Sequence, residues 1–158
     1  MTLPQGELAL LDTDLARRLL ASALPARLGY LAVDGSPRVT PIWFHWTGND
    51  LVMATFVPSP EVSALERHPT VAVSIDTATF PPEVLQLRGD VEVVVVDGPV
   101  EEYAAAAHRY LGDVEAAHYL DDLRSRRPRM ARIALAPAWV GTLDFQDRLP
   151  AALGGVTG

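Results

Sequence analysis

The chain has 158 residues, 49% of them hydrophobic, and a formal net charge of −7. This length predicts one domain over residues 1–158 with a sizeable core, and the acidic balance argues against partners such as nucleic acid or an acidic membrane surface. The chain has no cysteine and no lysine, which excludes disulfides, thiolate chemistry and any step that depends on a lysine.

Alternating apolar residues and turn signals predict a chain made mostly of strands. The predicted strands lie at residues 26–33, 38–46, 51–56, 70–76, 84–97, 130–137 and 138–145. The last two segments close the chain as one strand or two. Gly89, inside the longest strand, predicts a bulge or bend.

Helical periodicity and capping residues predict four helices. They lie at residues 12–23, 60–66, 98–112 and 113–127. The first would be capped by Asp12 or Thr13, and Pro128 would stop the last.

The order of these elements predicts an antiparallel barrel, because successive strands are joined by short hairpins rather than by helices. The strand at 38–46 is apolar on both faces and the stretch 91–96 is almost all valine, whereas a half-exposed sheet alternates. We therefore expect one face of these strands to line the barrel interior and the other face to be covered by a helix or by a second copy of the chain. A homodimer is the economical explanation.

Residues that carry chemistry on their own are scarce. The four histidines are not spaced as metal ligands, and the acidic pairs Asp12/Asp14 and Asp121/Asp122 are typical of helix caps and solvated faces. No catalytic residue and no metal site is predicted. The arginines of residues 124–132 have two interpretations, a helix end followed by a salt-bridged strand entry, or a docking surface for an acidic ligand tail or a partner subunit.

The segment 59–61 follows a strand and begins a helix, with Ser59 as the cap and Pro60 in the first helical position. Such a helix start offers free N–H groups to an anion. Its first charged residue is Glu61, however, so the backbone favours a phosphate and the side chain opposes one. Should Glu61 face solvent, the charge partner of a phosphate would be Arg38 or Arg88.

Pro41 lacks an N–H group and therefore predicts an edge or an irregularity in its strand. Backbone groups of residues 38–41 would then be free, beside Trp43, to hold a flat polar ring. The alternative is that Pro41 only protects an edge strand from pairing.

In their order and spacing, these segments resemble the pyridoxamine 5′-phosphate oxidase-like split β-barrel family over residues 25–147. The resemblance rests on an Asp-Gly turn and the segments "VTPIWF", "MATF", "SPE", "LRGDVEVV" and "RMARIALAPAWVGTLDF". It leaves an N-terminal helix and a short C-terminal tail outside the core.

The resemblance implies a mainly β fold, an antiparallel split barrel with flanking helices, and a homodimer with a cofactor at its interface. Members of the family use FMN or the deazaflavin coenzyme of actinobacteria, some bind haem, and some have no known cofactor. The cofactor then supplies the hydride chemistry, so no catalytic side chain is required. By resemblance, the cofactor-binding residues are Arg38, Val39, Thr40, Pro41, Ala54, Thr55, Ser59 and Pro60.

Two features depart from the family pattern. Glu61 stands where the family usually has Lys or Arg, and the tail "DRLPAALGGVTG" lacks the arginine pair of the vitamin B6 oxidases, which argues against oxidation of pyridoxamine phosphate. The leading hypothesis is a flavin- or deazaflavin-dependent oxidoreductase of a small-molecule substrate. The alternative is a non-enzymatic split-barrel dimer that binds cofactor weakly or not at all because of Glu61.

The sequence also bears on location. It contains no apolar run as long as a membrane span, and residues 1–14 lack the basic and apolar regions of a signal peptide. We therefore expect a cytoplasmic protein that has no membrane partner.

Overall fold

The computed structural model describes residues 2–158, which form one seven-stranded antiparallel sheet and four α-helices. The strands are β1 Ala26–Leu31, β2 Pro37–Ile42, β3 Phe44–Trp46, β4 Leu51–Phe56, β5 Thr70–Asp76, β6 Val84–Asp97 and β7 Arg129–Leu143. The helices are α1 Asp14–Leu20, α2 Pro60–Arg67, α3 Glu101–Leu111 and α4 Asp113–Ser125.

The order of the strands shows how the sheet is curved. It runs β2-β1-β5-β6-β7-β4-β3, so β2 and β3 are its two edges, and only Trp43 separates them along the chain. A flat sheet of this width would separate its edges by roughly 29 Å, far beyond the reach of one residue. The sheet must therefore curl until its edges approach each other, which matches a split-barrel-like fold. Within residues 2–158, β2 and β3 do not pair, so the sheet stays open.

One strand prediction needs correction, and the structure resolves another that the sequence left open. The single strand predicted at 38–46 is divided at Trp43, because β2 pairs with β1 whereas β3 pairs with β4 at the opposite edge. The two segments at 130–137 and 138–145 are one strand, β7, which pairs along β6 and also with β4. Ala138 is the extra residue that lets β7 continue, since Gly89 faces Pro137 and Arg88 faces Trp139.

The helices follow the sequence closely. Thr13 caps α1, as its hydroxyl accepts a hydrogen bond from the Ala16 N–H at 3.3 Å. The third helix begins at Glu101, later than residue 98, because Gly98 has a φ of +81° that a helix does not accept. The main core packs α1 against the sheet around Leu10, Leu28 and Phe44, all fully buried. Within residues 2–158, no helix has both the length and the apolar character needed to cross a membrane.

The predicted bulge is present at Gly89, where the β6–β7 register shifts between Arg88 and Gly89. A Cβ at this position would lie only 2.4 Å from the carbonyl oxygen of Ala136, so β7 approaches too closely for any side chain. We expect Gly89→Ala to lower the free energy of unfolding by about 1–3 kcal/mol, through overpacking. Urea denaturation measures this change.

Gly29 supplies the matched control, because its Cβ would meet no atom closer than the Ala72 carbonyl oxygen at 3.4 Å. Gly29→Ala should change stability by less than about 1 kcal/mol. Equal losses for the two variants would contradict the close approach at Gly89.

Candidate functional site

The main candidate site is a groove of about 420 Å³ between the edge strand β2, strand β4 and the first turns of α2 and α3. Its volume falls in the range of small-molecule sites. The polar and aromatic side chains in its lining are Thr40, Trp43, Thr55, Phe56, Glu61 and Tyr103. The remaining lining residues are aliphatic or proline, among them Leu28, Ile42 and Ile133.

The groove brings together four of the eight residues identified from the sequence. Thr40 and Pro41 come from β2, and Ala54 and Thr55 come from β4. These strands lie at the two ends of the sheet order, and they meet because the chain crosses from one edge to the other at Trp43. The curl of the sheet, rather than proximity in sequence, therefore assembles this site.

The other four residues lie elsewhere. Arg38 and Pro60 line a neighbouring depression of about 520 Å³ on the other side of the α2 start, together with Tyr30. Val39 points to the opposite face of the sheet, where it is 73% exposed. Ser59 is the N-cap of α2 by position, yet its hydroxyl makes no capping hydrogen bond and is buried without a partner in the described chain.

Glu61 faces the groove and is the only charged residue in its lining. Within residues 2–158 it makes no ion pair. Its charge reaches Tyr30, where burial first and Glu61 second raise the pKa of the phenol. The groove is thus acidic where a phosphate would require a cation.

Neither of the two arginines suggested by the sequence as charge partners of a phosphate lines the groove. Arg88 lies on the far face of the sheet with its guanidinium 3.8 Å from the centre of the Trp139 ring, so within this chain it is not placed to pair with a phosphate at the start of α2. A third arginine, Arg132, is held by a hydrogen bond, because its Nε donates to a carboxylate oxygen of Glu102 at 3.0 Å. That hydrogen bonding holds the pKa of Glu102 below its usual value. Arg38 remains, in the depression beside the groove.

An aromatic wall forms one side of the groove. Trp43 stacks between Tyr103 and Tyr110, with ring centres 5.5 Å and 5.0 Å apart, and Phe56 meets Tyr103 edge-on at 6.1 Å. The Tyr103 and Tyr119 hydroxyls share a hydrogen bond of 2.6 Å. Burial, and then this bond, raise the pKa of Tyr103 well above its usual value, so the wall stays uncharged.

Helix α3 holds this wall in place. Arg109 donates from Nε to the Ser22 carbonyl oxygen at 2.8 Å and from its other end to the Phe44 carbonyl oxygen, which ties α3 to β3. Sequence reasoning missed Tyr103, because nothing in the local pattern of α3 distinguishes a residue that faces the groove from one that faces the core.

The groove lining offers surfaces and hydrogen-bonding groups but little acid–base chemistry. None of the four histidines lines it, and within residues 2–158 no cluster of three or more His, Asp or Glu side chains is placed to hold a metal. Haem iron needs an axial ligand such as His, Met, Cys or Tyr. Tyr103 is the only such residue in the lining, and its hydroxyl is held by Tyr119, so the groove does not fit haem.

Comparison with known proteins identifies relatives of the whole fold. The model of the family described as pyridoxamine 5′-phosphate oxidase matches residues 13–144. A solved structure of an F420 reductase is 25% identical, with a TM-score of 0.60, and the match covers 78% of this chain and 93% of that one. No curated protein matches the sequence.

Two further solved structures share the fold at lower identity. One is a protein related to general stress protein 26, of the pyridoxinephosphate oxidase family, from Clostridium acetobutylicum, at 15% identity and a TM-score of 0.59, covering 86% of this chain and 88% of that one. The other is a heme-binding protein from Mycobacterium smegmatis, at 19% identity and a TM-score of 0.59, covering 87% of this chain but 55% of that one.

Proposed function

The chain belongs to the pyridoxamine 5′-phosphate oxidase family, and on that premise we propose that it is an oxidoreductase that binds a flavin or deazaflavin in the groove and acts on a small molecule. The observation that carries the proposal is the meeting of Thr40 and Pro41 with Ala54 and Thr55 in one groove. The similarity to an F420 reductase supports the deazaflavin alternative.

The lining suits a flat ring. The aromatic wall of Trp43, Phe56 and Tyr103 offers stacking surface, and the Thr40 and Thr55 hydroxyls offer hydrogen bonds at its edge. A bound flavin or deazaflavin would supply hydride transfer, while the protein orients the reactants and excludes water. This division of labour agrees with a lining that holds no acid–base pair.

The second candidate function is a dimeric binding protein without enzymatic activity. One observation favours it, namely Glu61 in the groove lining without an ion-pair partner in the described chain. A carboxylate about 4 Å from a phosphate costs about 1 kcal/mol in water and about 4 kcal/mol at an effective dielectric constant near 20. A repulsion of that size would weaken the binding of a cofactor phosphate by roughly fivefold to a thousandfold.

The experiment that separates the two candidates begins with the absorption spectrum of the purified protein. Flavin or deazaflavin bands, or saturable uptake of FMN, riboflavin or the F420 coenzyme on titration, support the oxidoreductase. Reduction of the bound cofactor by a nicotinamide or by a substrate panel then tests turnover. A colourless protein that takes up none of the three supports the binding-protein alternative.

We further propose that the chain forms a homodimer through the outer face of β2, β1 and β5. In this face Val39 is 73% exposed and lies beside Gly29, which in turn faces Ala72. These three residues are small or apolar and no described helix covers them, while Arg27 and Asp76 form an ion pair on the same face, so a second copy can cover an apolar centre with charges beside it. Stable dimers of this kind bury about 2,000 Å² or more.

Light scattering at micromolar concentration should therefore give twice the mass of 17.1 kDa. Val39→Glu should yield a monomer, because a carboxylate would be desolvated at the interface. The matched control is Val114→Glu on α4, where the valine is 71% exposed, and it should stay dimeric. A monomeric mass for the wild type would contradict the proposed dimer and any cofactor site shared between two subunits.

A further inference from the structure

The charge and the aromatic wall of the groove together point to a ligand class. Glu61 is the only charged group in the lining, and it has no cationic partner within residues 2–158. Trp43, Phe56 and Tyr103 lie in the same lining. An acid beside aromatic faces is the arrangement that attracts organic cations, because the carboxylate and the ring quadrupoles act in the same direction.

We infer that the group facing Glu61 in the occupied groove is a positive charge on an apolar or aromatic body, such as a quaternary N-heteroaromatic or a protonated arylalkylamine. This inference rests on the proposed function, in which that cation is the substrate bound beside the cofactor. The aliphatic lining of Leu28, Ile42 and Ile133 suits the apolar body of such a molecule. The net charge of −7 also favours the approach of cations over anions.

The phosphate of a bound cofactor has a site of opposite charge available outside the groove. Arg38 lies in the depression on the other side of the α2 start and makes no ion pair within the described chain. A phosphate directed toward Arg38 would leave Glu61 facing the substrate, yet both charges act on Tyr30 in that depression, so Glu61 would still repel the phosphate across the start of α2. The acidic residue that departs from the family pattern thereby weakens the binding of a cofactor phosphate and acts as a specificity determinant for the substrate.

The test compares two probes of nearly equal shape, N-methylquinolinium and quinoline, at pH 8, where only the first is charged. Equilibrium dialysis measures both affinities with the full-length protein, with and without saturating riboflavin. Wild type should bind the cation at least tenfold more tightly than quinoline, which corresponds to about 1.4 kcal/mol. The preference should shrink at high salt, because partly exposed charges are screened.

Two variants locate the charge that is responsible. Glu61→Gln keeps the shape of the side chain and should reduce the preference to less than threefold. Glu66→Gln is the matched control, since Glu66 is exposed on the same helix and does not line the groove, and it should keep the wild-type preference. Equal affinity of wild type for both probes, or an equal loss in the two variants, would overturn the inference.

Two separate measurements test the cation site and the proposed function, namely the preference for the cation and the uptake of riboflavin. Riboflavin uptake is measured in the same samples by flavin fluorescence. Uptake of riboflavin without preference for the cation overturns the cation site and leaves the oxidoreductase proposal standing. Preference for the cation without uptake of any flavin or deazaflavin supports the cation site and removes the cofactor from the proposed function.

Discussion

Replacing Glu61 by lysine is expected to raise the affinity for FMN at least tenfold. The start of α2 already offers free N–H groups, and the single acidic side chain in the groove lining opposes a phosphate there. Reversing that charge removes a repulsion and adds an attraction of similar size. The gain is about 2 kcal/mol if the site is wet and several kcal/mol if it is partly buried.

Titration with FMN and with riboflavin, followed by flavin fluorescence, isolates the phosphate, because the two ligands differ only in that group. The gain should appear for FMN and not for riboflavin, and it should diminish at high salt. Glu66→Lys makes the same change of charge on the same helix outside the groove and should leave the FMN affinity within about threefold of wild type.

Stability should change little in Glu61→Lys, since a lysine in the first helical turn opposes the helix dipole by only about 0.3–1 kcal/mol. An equal gain for riboflavin would show that Glu61 does not face a phosphate. Weaker FMN binding by the variant would mean that Glu61 makes a favourable contact of its own with the ligand.

Replacing Trp43 by alanine is expected to lower the free energy of unfolding by about 3 kcal/mol and to abolish ligand binding in the groove. The indole stacks on Tyr110 at 5.0 Å with an interplanar angle of 8°, and on Tyr103 at 5.5 Å. Truncation of a core tryptophan costs about 3–5 kcal/mol, and Trp43 is partly exposed, which places it at the lower end. Each aromatic pair accounts for about 0.5–1.5 kcal/mol of this loss.

The effect on binding follows from the position of Trp43, which joins the two edge strands β2 and β3 and lines the groove between β2 and β4. Urea denaturation gives the change in stability, and titration with riboflavin gives the change in binding. Trp43→Phe is the matched control, because it keeps a stacking ring and should lose less than half as much stability. A loss below about 1 kcal/mol in Trp43→Ala would show that the stack of Trp43 on the tyrosines of α3 contributes little to stability.

Local chemistry accounts for most of what the sequence determined. The turns after β1 and before β4 carry glycines with φ of +82° and +103°, which few other residues tolerate, so those hairpins could be read from the sequence. The cap at Thr13 was predictable because it depends on one residue and its neighbours in the chain. The bulge at Gly89 was predictable because a glycine inside a strand pattern indicates a bulge or a close backbone approach, although the contact with β7 that requires it is tertiary. The family resemblance was also carried by short segments in order.

Only the tertiary structure decided what these elements build. Pro41 predicted an edge or an irregularity in the strand at 38–46, and β2 is an edge, but no residue marked the break at Trp43, which exists only where two distant edges of a curled sheet are brought near each other. Val39 and Thr40 are neighbours in sequence, yet one is on the open outer face and the other lines the groove, as alternation in a strand requires.

The same limit applies to the charge of the groove. The sequence identified Glu61 as an acid in an anion-binding turn but left open whether it faces solvent, and only the packing of α2 against the sheet places it in the groove. Tyr103 joins the same lining from a helix far along the chain, held by the contacts of Arg109. Strands, turns and caps follow from interactions within a few residues, whereas the groove, its wall and its charge depend on contacts between segments that meet only when the sheet curls.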